Sequence, residues 1–315
     1  MIGDSIGGLV FGWLYWKKGL ESAFLAHIFA HVAMVLTDII SMNSHPMHNK
    51  SIPLRFFVVT FLWSWLLWLP FVLAGLGIWD WDESLRSSLR LPAILLGAFG
   101  PGVAAVYSIS TLQGKSAVRP FLKTFLAINF GWKVWLIIIG VLGLVNFLAW
   151  YLPGLWGYER FSMLLPSIYI FPIYWLLIIF FGGGQEEVGW RGYIMPYLES
   201  KYGLWFGNIL LGIVWTLWHG PLWFISDSFQ TYMPFSAFLI GCIGMSFFFS
   251  WVVKASKNKP MSALVAHGTA NAFIPVFPSI AMATDVFQLH FWILEFLLLG
   301  IGIIALLSIK KNKVS

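Results

Sequence analysis

Apolar residues run almost without interruption in blocks separated by short polar or basic stretches. Each block is about 20 residues long, enough for a helix rising ~1.5 Å per residue to cross a hydrocarbon core of ~30 Å. Eight such spans follow residue 50: 54–78, 91–112, 133–152, 165–184, 204–226, 233–253, 261–282 and 291–309. A further apolar segment covers about 20–40. The blocks lack the short in-out alternation of a transmembrane β-barrel. The pattern predicts an all-α, polytopic transmembrane helix bundle of about eight core spans plus an extra N-terminal hydrophobic segment.

Composition narrows the class further. Of 315 residues, 59% are hydrophobic and 10% are charged, against about 25% charged in soluble domains. Mean hydropathy is +0.81. A soluble fold with this balance would expose a large apolar surface, and a disordered chain needs the opposite composition. The net charge of +6 suits basic loops against anionic lipid and calls for no nucleic-acid partner. The single cysteine, Cys242, permits neither a disulfide framework nor a cysteine-rich zinc site. Asp4 precedes any basic residue up to Lys17, the wrong order for a cleavable signal peptide, so an uncleaved span is expected to direct insertion.

The charges that remain sort by loop. Lys50, Arg55, Lys115, Arg119, Lys123, Lys133, Arg191, Lys201, Lys254, Lys257, Lys259, Lys310, Lys311 and Lys313 fall on one side of the core. Arg86, Arg90 and Arg160 fall on the other, among Asp80, Asp82, Glu83, Glu159, Asp227 and Asp285. The excess of basic residues predicts a multi-pass protein of the cell membrane with both ends of the core in the cytoplasm. Trp79, Trp81, Trp132, Trp156 and Trp205 lie near span ends, as interfacial belts require.

A short repeat adds a domain expectation. Ser22-Ala-Phe-Leu-Ala-His27 recurs as Ser262-Ala-Leu-Val-Ala-His267, with His31 and Asn271 each four residues beyond the histidine. Residues 1–45 are therefore read as a partial duplicate placed before a complete membrane domain, 50–315.

Ionisable groups within apolar spans are costly and mark functional sites. Glu186 and Glu187 follow Gly182-Gly183-Gly184, a run that favours close packing or a local break. On a helix Glu187 pairs with Arg191, four residues on. Glu186 is turned about 100° away, toward Trp190, and stays in an apolar setting suited to general-base work. His219 closes the fifth span; a turn near Tyr202-Gly203 would bring it level with Glu186, although Pro196 interrupts the intervening helix. His267 and Asn271 share a helical stripe and can offer N–H donors to one point, as an oxyanion needs, or can bond neighbouring helices. Glu295, in the last span, is expected near the headgroups or beside a neighbouring partner.

This constellation resembles the CAAX protease and bacteriocin-processing family of intramembrane proteases, the Abi or type II CAAX prenyl endopeptidases. The family carries Glu-Glu-x-x-x-Arg, then Phe-x-x-x-His, then His-x-x-x-Asn on successive helices. Here these are Glu186, Glu187 and Arg191; Trp215 and His219, with tryptophan in place of phenylalanine; and His267 and Asn271. The resemblance covers residues 50–310. It implies an endopeptidase acting on a membrane-associated peptide or protein. Glu186 and His219 would activate water, His267 and Asn271 would hold the oxyanion, and Arg191 would fix Glu187. Members are commonly described as metalloproteases, and Glu186, His219 and His267 could ligate Zn²⁺. The absence of a His-Glu-x-x-His helix favours a glutamate-activated water that requires no cofactor. The alternative is a non-catalytic bacteriocin-immunity or scaffold protein of the same fold. Retention of every polar motif residue favours the enzyme. A transporter would show longer repeats than this one.

Overall fold

The structure, a computed structural model, describes residues 53–309. The N-terminal repeat with His27 and His31 lies outside the described residues. The chain divides into two units, Met1–Val58 and Val59–Ser315. The first is described only over 53–58, and the architecture below is that of the second.

Among the described residues all regular structure is helical. The longer helices are α1 (Leu54–Gly75), α2 (Glu83–Gly97), α3 (Gly100–Leu112), α4 (Lys115–Lys123), α5 (Trp132–Tyr151), α6 (Phe171–Phe181), α7 (Met195–Tyr202), α8 (Leu204–His219), α9 (Phe235–Ala255), α10 (Met261–Phe273) and α11 (Leu289–Ser308). Their chemistry explains their limits. Asp82 caps α2 by accepting the Leu85 amide at 2.8 Å. Pro101 opens α3, where its missing N–H costs nothing. Gly203, at φ +78°, makes the tight reversal between α7 and α8 that the sequence anticipated.

The chain is a multi-pass membrane bundle, but its spans differ from eight uniform rods. Among the described residues five helical stretches are long and apolar enough to cross a bilayer, or six if α2 and α3, bent by 41°, count as one. Two of the expected spans are short. α8 has 16 residues and α10 has 13, or about 24 Å and 20 Å at ~1.5 Å per residue. Gly220-Pro221 follows α8 and Pro275 follows α10, and both sequences stop the helix early. These two short helices carry the histidine motifs.

Large apolar side chains such as Leu66, Leu136 and Ile173 point outward, exposed, as they do on lipid-facing helices. Trp79, Trp132, Trp156 and Trp205 are exposed near helix ends, in keeping with the belt read from the sequence. The interior is built around α9, which packs on α8, α10 and α11. Glycine permits the closest crossing. A Cβ on Gly244 of α9 would stand 2.5 Å from the Leu299 Cα of α11, so small residues set the helix spacing where lipid supplies no hydrophobic drive.

Candidate active site

The expected break before the glutamates is present. α6 ends at Phe181, Gly183 takes φ +121°, and a 3-10 turn covers Gly184–Glu186. A short turn (Glu187–Gly189) and a π-helical turn (Trp190–Ile194) carry the chain into α7. Irregular backbone at this depth needs internal partners. The Gln185 side chain accepts the Gly183 amide at 2.9 Å, and Asn271 Nδ2 of α10 donates to the Gly182 carbonyl at 2.8 Å. Gly184 lies so close to the Ile179 and Leu264 carbonyls that a side chain there would collide with both.

The two glutamates separate as their helical spacing requires. Glu187 is fully buried and pairs with Arg191, Oε2 to Nη1 at 2.8 Å. Its other oxygen lies 2.8 Å from His267 Nδ1. A carboxylate only accepts hydrogen bonds, so Nδ1 carries the proton and His267 turns Nε2 the other way. The Arg191 guanidinium lies 5.0 Å from the ring centres of both Trp215 and Phe249, which suits a planar cation excluded from water. Glu187 and Arg191 thus anchor α10 to the broken helix.

Glu186 points elsewhere. Trp215 Nε1 donates to its Oε2 at 2.8 Å, and its Oε1 stands 4.0 Å from His219 Nε2. Trp190, four residues along, faces the same carboxylate. His219 Nδ1 lies 2.9 Å from the Trp215 carbonyl, an acceptor. That bond places the proton on Nδ1 and leaves Nε2 with a lone pair toward Glu186. α7 and α8 do bring Glu186 and His219 level across the reversal, despite Pro196.

Glu186, His219, His267 and Asn271 all line one cavity of about 430 Å³. Gly183 shows how His267 and Asn271 converge. A Cβ built on it would lie 2.5 Å from Asn271 Nδ2 and 2.6 Å from His267 Nε2. A single small atom in front of Gly183 can therefore meet both groups. Asn271 Nδ2 has a second hydrogen free beyond the one given to Gly182.

Three features of the site were not singled out in the sequence. Trp215 was read as an aromatic replacement for phenylalanine, yet its indole N–H supplies a bond to Glu186 that phenylalanine cannot make. Gln185 bridges the helix break. Asn146, on α5, lines the same cavity. No partner stands beside Glu295 among the described residues. It is 3% exposed, lines the cavity, and its Oε2 has no hydrogen-bond partner among the described residues. Its face of α11, with Phe291, Leu294 and Leu298, is the buried one; that spacing was the available signal.

The donors for a metal ion can be tested directly. Among the described residues no three His, Cys, Asp or Glu side chains stand close enough to hold one. Trp215 occupies one oxygen of Glu186, and Glu187 is committed to Arg191 and His267. The set Glu186, His219 and His267 does not fit a metal ion in this arrangement.

The helix bundle thus sets a carboxylate and a histidine facing each other, with His267 and Asn271 converging beside them. Residues 168–273 match the family described as type II CAAX prenyl endopeptidase Rce1-like. The chain is also 29% identical over 237 residues to CAAX prenyl protease 2 of Methanococcus maripaludis, covering 70% of this chain and 82% of that protein. Over these residues the chain is similar to the Rce1-like type II CAAX prenyl endopeptidase family. That similarity supports an intramembrane endopeptidase in general.

Proposed function

We propose that the protein hydrolyses a peptide bond of a membrane-associated peptide or protein with a water held between Glu186 and His219. The observation that carries this is the 4.0 Å separation of Glu186 Oε1 and His219 Nε2, within a cavity shared with His267 and Asn271. Both atoms are acceptors. One water can donate to each at ~2.8 Å, which directs its lone pair at the scissile carbonyl. As the oxygen attacks, Glu186 takes a proton from the water. The C–O bond forms, and negative charge collects on the former carbonyl oxygen. That oxygen occupies the space before Gly183, where Asn271 Nδ2 and a protonated His267 Nε2 donate to it. Glu187 balances the charge on His267. Collapse breaks the C–N bond, and Glu186 returns its proton to the leaving amine.

The substrate is a peptide bearing a lipid or a strongly apolar residue. Its relative is named a prenyl protease, and the cavity walls are mainly Leu, Ile, Phe and Trp. The protein is a cell-membrane protein with both ends of the core in the cytoplasm.

The test uses protein reconstituted in vesicles with lipid-anchored peptides. Asn271→Ala lowers kcat by about 10²–10³-fold, the range for removing one oxyanion donor, with little change in KM. Wild-type cleavage persists after chelation and metal analysis. Full activity in Asn271→Ala would remove the oxyanion assignment, and loss of activity restored by Zn²⁺ would replace the glutamate-only mechanism.

Residues 50–315 form the complete catalytic unit on this reading. Deletion of residues 1–45 leaves cleavage largely intact. A folded but inactive product would assign a part to His27 or His31.

A further inference from the structure

Glu295 and Asn146 lie deep in the bundle without work in the hydrolytic scheme. They are 3% and 1% exposed, on α11 and α5, two helices that pack together. Both line the active-site cavity. Asn146 Nδ2 donates to the Leu142 carbonyl at 2.9 Å. Only the amide nitrogen can make that bond, so the orientation of the side chain is fixed and Oδ1 is the atom left over. Among the described residues Oδ1 has no hydrogen-bond partner, and neither has Glu295 Oε2. Unpaired buried acceptors are costly and uncommon. An ionised carboxylate without a cation would be costlier still.

The position of Glu295 is built in. Gly241 of α9 lies directly against its carboxyl group, and a side chain there would occupy the same space. One turn earlier on α9, the Phe238 ring meets the His219 ring at 5.1 Å. Three residues of helix separate these two contacts on α9, an advance of ~4.5 Å. Glu295 is therefore about one helical turn from the level of the catalytic histidine. An extended peptide advances ~3.3 Å per residue, so the carboxyl group stands within reach of side chains close to the scissile bond. Among the described residues the cavity lining includes two glutamates and neither lysine nor arginine.

We infer that Glu295 and Asn146 form a subsite that accepts a cationic group of the substrate, a lysine or arginine side chain or a free amine, through the carboxylate and the amide oxygen. The inference rests on the proposed peptide hydrolysis and makes these residues determinants of sequence specificity. The cation supplies the donors that both oxygens lack, and its charge offsets that of Glu295 in an apolar surround.

The experiment uses lipid-anchored peptides in vesicles. Each pair differs only by lysine or norleucine at one of three positions on either side of the scissile bond. Wild type favours lysine at one position by about tenfold in kcat/KM, equivalent to ~1.4 kcal/mol. Glu295→Gln and Asn146→Leu each shrink that ratio. Absence of any lysine preference in wild type, or an unchanged ratio in both variants, overturns the subsite. The wild-type scan decides the matter even if a variant does not fold. Binding of the same peptides to the Glu186→Gln protein isolates the subsite from the chemistry. Cleavage persisting in Glu186→Gln defeats the hydrolytic reading, whereas equal binding of lysine and norleucine peptides defeats the subsite alone.

Discussion

Glutamine in place of Glu186 is expected to lower kcat for peptide cleavage by about 10³-fold or more while the protein remains folded. Loss of a general base costs about 10²–10⁴, and here the same group also positions the water. The substitution separates chemistry from architecture. Glutamine keeps an oxygen for the Trp215 indole, which donates to Glu186 at 2.8 Å, so no buried donor is orphaned. It cannot take a proton, and its amide would present N–H toward His219 Nε2 where water should bridge. Alanine at the same position also abolishes cleavage, but leaves the Trp215 N–H unpaired at a cost of about 1–3 kcal/mol. His219→Ala is expected to match Glu186→Gln in turnover, because it removes the second acceptor for the water. The measurement is cleavage of a lipid-anchored peptide at saturating concentration, alongside the thermal unfolding midpoint. Turnover within tenfold of wild type in a folded Glu186→Gln protein would end the proposed base role.

The chain announced this site because charge is scarce in it. Glu186, Glu187 and Arg191 stand out against apolar neighbours, and an i, i+4 spacing was enough to foresee which glutamate meets arginine. The level pairing of Glu186 with His219 followed from counting back to Gly203. Local spacing could not give the lengths of α8 and α10. Hydropathy continues past Gly220-Pro221 and Pro275 into apolar loop segments, so the spans 204–226 and 261–282 looked uniform. The same blindness applies to Trp215. Hydrophobic pattern treats tryptophan and phenylalanine alike, whereas the site distinguishes them by one N–H. The setting of Glu295 was hidden for a related reason. Its partner surface is Gly241, a residue whose contribution is the absence of a side chain, and such complementarity between distant helices leaves little trace in sequence. Asn146 likewise gains meaning only when α5 and α11 close around the cavity.

Gly183→Ala is expected to remove cleavage more completely than loss of either oxyanion donor alone, by about 10⁴-fold if the two donors, each worth about 10²–10³, are blocked together. The added methyl carbon would lie 2.5 Å from Asn271 Nδ2 and 2.6 Å from His267 Nε2. Those distances describe an atom in the place a tetrahedral oxyanion needs, so the methyl group excludes the transition state from both donors. A second effect must be separated from this one. Gly183 has φ +121°, a region closed to residues with a Cβ, and strain of about 1–3 kcal/mol accompanies the substitution. Gly203→Ala provides the control. It also has positive φ, at +78°, but a Cβ there meets nothing within 4 Å. It therefore carries backbone strain without obstruction, and is expected to lower the unfolding midpoint while turnover stays near wild type. If Gly183→Ala lost only stability, with turnover retained well below its unfolding temperature, the space before Gly183 would not be the oxyanion position. Loss of turnover in Gly183→Ala but not in Gly203→Ala locates the catalytic requirement in that space and not in strain.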